Sequence, residues 1–315
     1  MINIQTPSWS NYELLDSGNG RKLERFGKFI LDRIETQALW NKSLSEAVWQ
    51  SADAIFKKKG DQHGDWARKN NIPDHWTLEF EGLKLQLRLT PFGHVGIFPD
   101  QSTQWEWIQS VCRPELVSGP QNEMLNSHKG TIHSMGSQVQ HDKSIKVLSL
   151  FTYTGAATLA AAVGGAQVTH VDASKPAITW ARENQNLSGL SDKPIRWIPE
   201  DALKFVKREV RRGTKYDAII MDPPKFGRGT QGEVWKFEEN FPELLDNCLQ
   251  IISDSPQFIL ITAYAIPISS ITLSNMLADM MKKYGGTVEA GELGLKQSKN
   301  ERILPTAIYA KWIRD

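Results

Sequence analysis

The chain has 315 residues, about twice the ~150-residue size of one domain, so two compact units are expected. With 40% hydrophobic residues, 23% charged residues and a formal charge of +1, it reads as a globular protein. Collagen-like, low-complexity and strongly basic polyanion-binding classes are excluded.

The N-terminal part reads as short alternating segments at Tyr12–Asp16, Lys22–Phe26, Lys28–Asp32, Trp76–Phe80 and Leu83–Leu89, punctuated by Gly-rich turns. A helix is expected over about Leu44–Lys57, with Lys57, Lys58 and Lys59 at its carboxyl end to complement the dipole. Seven of the eleven Trp lie at or before Trp107, and Trp105 and Trp107 read as packing anchors. Residues 1–114 are therefore taken as a β-rich (α+β) accessory domain. Residues 115–143, polar and nearly free of aromatics, read as a linker or loop.

From residue 144 to 315 strands and helices alternate. Strands are expected at Lys146–Phe151, Gln167–Val171, Ile195–Ile198, Tyr216–Met221 and Gln257–Thr262, with two more near Thr287–Ala290 and Ala307–Trp312. Helices are expected at Gly155–Val163, Ser174–Leu187, Asp201–Val210, Phe241–Ile252 and Pro267–Tyr284, the last opened by Pro267. The pattern predicts an α/β fold with a doubly wound, mostly parallel sheet, whose ligands bind at the carboxyl ends of the strands.

Those ends carry the chemistry. The first strand runs into Phe151-Thr152-Tyr153-Thr154-Gly155, where Gly155 lets backbone pass close to a ligand. The three glycines of a pyrophosphate cradle are missing, so a cofactor without pyrophosphate fits better than a dinucleotide. Asp172, followed by Ala173 and Ser174, ends the second strand where an acid can accept from ribose hydroxyls. Asp201, followed by Ala202, ends the third, where it can accept from an adenine amino group. Each is equally a helix N-cap residue type. The fourth strand ends Asp222-Pro223-Pro224-Lys225-Phe226-Gly227-Arg228, with rigid carbonyl acceptors and an aromatic face suited to a planar nitrogenous ring.

The series LFTYTG, VDASKPAITWARENQNLSGL, PEDALKF and DPPKF resembles the class I S-adenosylmethionine-dependent methyltransferases. It is most similar to the bacterial branch containing the 23S rRNA 5-methylcytosine and 7-methylguanine enzymes. The resemblance covers about residues 92–265 and implies a Rossmann-like methyltransferase sheet and cytoplasmic RNA methylation in rRNA processing. It implies that Phe151 to Gly155 line the methionine end of S-adenosylmethionine, that Asp172 holds the ribose, and that Asp201 with Ala202 holds the adenine. Asp222 to Phe226 would face the target atom. Gly96–Gln101 resembles a segment that brings Gln101 toward the cofactor, while Lys225 and Arg228 flank the site for a substrate.

Two departures bear on mechanism. Ser102 and Trp105 stand where that branch carries arginines, and the fifth strand ends Thr262-Ala263-Tyr264 without the cysteine that attacks cytosine in the 5-methylcytosine enzymes. Cys248 follows the helical spacing of Phe241, Leu244, Leu245 and Ile252 and reads as core. Direct in-line transfer to a nitrogen is therefore expected. An acceptor among small molecules or proteins, or a silent RNA-binding protein that keeps the cofactor pocket, remains open at this point.

Other signals are weaker. Lys204, Lys207, Arg208, Arg211, Arg212 and Lys215 form either a phosphate-contacting rim or a solvated helix face. The seven His show no ligand spacing, so no metal is expected, and His170 reads as structural. Two cysteines without a partner pattern argue against a disulfide framework and fit a reducing, cytoplasmic setting. The first residues lack a basic-then-apolar run, and no 18-residue apolar stretch occurs, so neither secretion nor a membrane partner is expected.

Overall fold

Short apolar strands alternate with helices through the C-terminal part, and a computed structural model gathers them into one twisted sheet. It describes residues 4–5, 8–60, 63–69, 72–113, 144–229 and 232–315. The expected linker at 115–143 lies outside the described residues.

The C-terminal elements are β9 (Lys146–Leu150), α3 (Ala156–Val163), β10 (Gln167–Asp172), α4 (Lys175–Leu187), β11 (Ile195–Pro199), α5 (Ala202–Arg212), β12 (Ala218–Met221), β13 (Phe226–Arg228), β14 (Val234–Lys236), α6 (Phe237–Ile251), β15 (Phe258–Tyr264), α7 (Ser270–Met281), β16 (Thr287–Lys296) and β17 (Ile303–Ile313). Strands β11, β10, β9, β12 and β15 are parallel neighbours in that order. β17 pairs antiparallel with β15 and with β16. β1 (Ile4–Gln5) adds to the far edge beside β16, so the start of the chain is part of the C-terminal sheet.

Alternation along each strand decides which side chain faces which layer. In β9, Val147 joins one core and Leu148 the other. α5, α6 and α7 cover one face around Phe205, Phe241 and Leu277. The other face is covered by α3 and by α2 (Ser102–Val111), whose Trp105 and Ile108 carry the core into the N-terminal lobe. Each such fully buried large apolar side chain contributes about 1.5–3 kcal/mol.

That lobe holds β2 (Tyr12–Gly18), β3 (Arg21–Phe26), β4 (Phe29–Ile34), β5 (Ala54–Lys59) and β6 (His63–Arg68) in one sheet, with α1 (Glu46–Gln50) between β4 and β5 in the chain and a hairpin of β7 (His75–Phe80) and β8 (Leu83–Arg88). The expected helix over Leu44–Lys57 is a correction. Only Glu46–Gln50 is helical, and after Ser51 the chain becomes β5, whose Ala54 and Phe56 alternate inward. Lys57, Lys58 and Lys59 therefore end a strand and face solvent. Helix α7 starts at Ser270, not Pro267, because Ser269 caps it by accepting from Ile271. Strands β6, β13 and β14 and helix α2 were not anticipated. Trp105 is buried and Trp107 packs on Phe258 at 5.2 Å between ring centroids, so both act as packing anchors.

Candidate active site

Strand β9 is the switch point of the sheet, with parallel neighbours on both sides, so a crevice opens at its carboxyl end. The chain leaves β9 through a tight turn in which Phe151 (φ 59°) and Tyr153 (φ 45°) are both left-handed. Aromatic residues rarely adopt that region, and such strain concentrates at functional sites. Gly155 (φ 85°) completes the turn as N-cap of α3, where an added Cβ would stand 3.0 Å from the Ala181 Cβ. Beneath it, Thr152 and Thr158 share a buried hydroxyl network with Ser149 and His170 Nδ1, at 2.7–3.3 Å. Burial pushes His170 down to about 3, so the ring is neutral and structural.

The crevice has a volume of about 390 Å³. It is bordered by Phe151, Tyr153, Asp172, Ala173, Ser174, Asp201, Asp222, Pro223, Pro224 and Arg228 of the expected residues. Asp172 accepts from the Tyr153 N–H at 3.2 Å and from the Ser174 N–H at 2.8 Å, so it braces the turn while bordering the crevice. Burial raises its pKa, and these two backbone donors oppose that shift. Asp201 caps α5 by accepting from Lys204 N at 2.9 Å and also borders the crevice. Asp222 lies at the floor, and Gln101 Nε2 donates to its Oδ2 at 2.7 Å. Burial pushes Asp222 up to about 7, with Asp100 and Asp172 adding repulsion and Gln101 opposing.

Several expected residues lie elsewhere. Gln101 and Thr152 border a small adjoining space, and Gln101 meets Asp222 directly. Ala202 is buried under the site. Lys225 and Phe226 turn outward onto β13, where Phe226 is 45% exposed. Neither residue borders the crevice at the Asp222 floor. The Pro224 carbonyl is also taken, since Trp235 Nε1 donates to it at 2.6 Å. The basic row of α5 is largely paired, with Lys204 to Glu233, Lys207 to Glu243, Arg208 to Glu200 and Arg212 to Glu209. That favours the solvated face over a phosphate rim.

The sequence reading missed His94, Phe98, Trp235 and Tyr264, which complete the walls. Tyr264 ends the fifth strand and was findable by the strand-end rule. His94 and Phe98 stand in the segment leading to Gln101, but no local pattern marks them as wall residues. Trp235 gave no signal in its polar loop. Burial lowers His94 to about 4, and Gly96 N donates to its Nδ1, which leaves the ring proton on Nε2.

A family profile described as S-adenosylmethionine-dependent methyltransferase matches residues 134–253. The solved SAM-dependent methyltransferase from Agrobacterium tumefaciens is 41% identical, with 99% of this chain and 94% of that one aligned at a TM-score of 0.86. The chain belongs to the S-adenosylmethionine-dependent methyltransferases. Among curated relatives, the ribosomal RNA large subunit methyltransferase K/L of Shewanella frigidimarina is 37% identical over 119 residues, 37% of this chain and 16% of that protein. The ribosomal RNA large subunit methyltransferase I of Klebsiella pneumoniae is 42% identical over 82 residues, 26% of this chain and 20% of that protein. The chain thus spans only about a sixth to a fifth of the length of the curated relatives it matches.

The methyltransferase cleft fits S-adenosylmethionine on observations of its own. Its volume suits a ligand of that class. The Gly155 turn brings backbone where a Cβ would crowd α4. Asp172 keeps lone pairs for hydroxyl donors beyond its two backbone bonds. Among the described residues neither Asp172 nor Asp222 has an ion-pair partner, so two acids that border the space would balance the positive charge of a bound sulfonium.

Proposed function

We propose that this protein methylates a nitrogen of an RNA base, in ribosomal RNA of the cytoplasm, by direct in-line attack. The substrate class is carried by the names of the curated relatives, which are ribosomal RNA large subunit methyltransferases. The mechanism rests on one observation: neither cysteine is at the cleft. Cys112 packs against Gly164 in one core and Cys248 lies within the other. Burial pushes the Cys112 thiol up to about 12 and Cys248 higher still, so neither supplies the thiolate that attack on a cytosine ring requires.

When bound, S-adenosylmethionine supplies an electrophilic methyl on sulfur and departs as a neutral thioether. The chain's own residues orient and receive. Asp172, with the Phe151–Gly155 turn, holds the cofactor; Asp201 borders the same space, and Ala202 supports it from below. Asp222 Oδ2 is engaged by Gln101, and Oδ1 is left to accept an N–H of the acceptor. The proton that the acceptor nitrogen sheds on methylation would pass to Asp222 Oδ1. A carboxyl near 7 suits that task at neutral pH. Arg228 borders the opening and Lys225 lies exposed beside it, placed for substrate contacts. In the same reading, residues 1–114 act as an accessory domain that lends His94 and Phe98 to the cleft of 144–315.

The test is methyl transfer from labelled cofactor to RNA and protein fractions of cells lacking the protein, followed by mass spectrometry of nucleosides. An N-methylated base in large-subunit rRNA is expected. A carbon-5 methylcytosine would overturn the mechanism, and label confined to protein or small molecules would overturn the substrate class.

A further inference from the structure

Behind one wall of the cleft lies a second chamber of about 210 Å³, between the N-terminal sheet, the 92–100 segment and the ends of β15 and β17. His94, Phe98 and Tyr264 border both spaces, so an occupant of the chamber abuts the cofactor cleft. The segment that makes this wall is pinned. Arg33 Nη1 donates to the Gly93 carbonyl, Thr154 Oγ1 donates to the Gly96 carbonyl, and a Cβ on Gly96 (φ 88°) would collide with the Trp180 indole.

The chamber has a row of rings and a polar end. Phe92, 55% exposed, stacks on His94 at 5.9 Å and 14° between planes. His94 tilts against Phe98 at 5.6 Å, and Phe98 against Tyr264 at 5.6 Å. At the inner end, Asp100 Oδ2 receives both the Tyr264 hydroxyl at 2.7 Å and the Thr306 hydroxyl at 2.9 Å. Its own backbone N–H also reaches the carboxyl, and these three donors oppose the rise in pKa that burial causes. The cations of the chamber are already committed, Arg33 to Glu24 at 2.6 Å and Lys22 to Glu35 at 3.2 Å. With Glu24, Glu35 and Asp100 present, a phosphate is disfavoured there. A flat, uncharged ring matches the row of rings, and the acidic lining favours one whose edge carries N–H donors.

We propose that this chamber, lined by Arg33, Phe92, His94, Phe98, Asp100 and Tyr264, is a base subsite beside the acceptor position and takes a nucleobase that flanks the target and enters by stacking on Phe92 and His94. The proposal rests on the RNA reading above and deepens it by naming where a base beside the target sits. Stacking on aromatic rings is a sequence-tolerant way to hold an unpaired base.

Phe92 is the residue to change, since it is exposed and does not border the cofactor cleft. With the full-length protein and rRNA from cells lacking it, Phe92→Ala should raise KM for RNA about tenfold, and cofactor affinity should stay within about twofold. Phe92→Trp should restore KM. Ultraviolet crosslinking of the same RNA, mapped by mass spectrometry, should mark the peptide that carries residues 92–98. If RNA is methylated but KM ignores Phe92→Ala and crosslinks fall only on α5, the chamber assignment fails and the RNA reading stands. If the wild-type protein labels no RNA, the RNA reading fails and the nucleobase assignment falls with it.

Discussion

Asp16, in the N-terminal sheet, and Asp222, at the cleft floor, are both enclosed aspartates, and their surroundings differ in the supply of donors. Asp16 accepts from Ser17 N, Ser43 N, Leu44 N, Trp49 Nε1 and Gln297 Nε2, at 2.8–3.3 Å. It ties β2, the turn before α1 and the loop after β16 into one knot. Among the described residues Asp222 has a single side-chain donor, Gln101, and burial holds its pKa near 7. A carboxylate saturated by its own protein is a clamp, whereas one left short of donors is kept for a ligand.

The contrast is broken most severely at the clamp. Asp16→Ala should strand several buried donors and cost about 3–5 kcal/mol of stability, read by chemical denaturation, with unchanged cofactor affinity in the folded fraction. A loss below about 1 kcal/mol would remove Asp16 from that role. At the other pole, Asp222→Asn keeps the shape and removes the charge. It should leave the fold intact while lowering kcat about 100-fold, roughly 2.7 kcal/mol of barrier. Full activity in this variant would show that Asp222 neither accepts from the substrate nor takes its proton.

Titration sharpens the same comparison. Because the Asp222 pKa is raised from 3.8 to about 7, the unfolded chain is ionised at pH 5 while the folded chain still holds the proton. This group's contribution to stability of the ligand-free protein therefore falls as pH rises from about 4 to about 7 and is level above that. Affinity for the sulfonium cofactor should rise as pH climbs through about 7, and the neutral thioether product should show a flatter profile. Calorimetry with both ligands from pH 5.5 to 8.5 checks this, and identical profiles would contradict it. The smallest effect is expected at Cys248→Ser, with about 1 kcal/mol of stability lost in the core and kcat unchanged. Loss of turnover in a folded Cys248→Ser protein would restore a thiol mechanism.

Much of the cofactor side was legible because it is local. The Phe151–Gly155 turn, Asp172 and the Asp222-Pro223-Pro224 corner each follow a short apolar strand, and in a parallel sheet the strand ends converge. The same logic failed where neighbours decide. Ser45–Lys59 contains good helix formers, yet pairing with β4 and β6 draws its second half into a strand. Phe226 reads as an aromatic face for the substrate, but pairing of β13 with β14 turns it outward, and Trp235 on the facing strand takes the Pro224 carbonyl.

From residue types and spacing alone came the sheet class and the acids at the strand ends, because strand period, helix caps and turn glycines act over a few residues. Only the tertiary structure decided that His94, Phe98 and Tyr264 share a wall, that Asp222 is short of donors, and that a second chamber lies behind it. Residues from Lys22 to Thr306 enclose that chamber, and contacts at such separation are set by packing of whole layers, which no local pattern encodes.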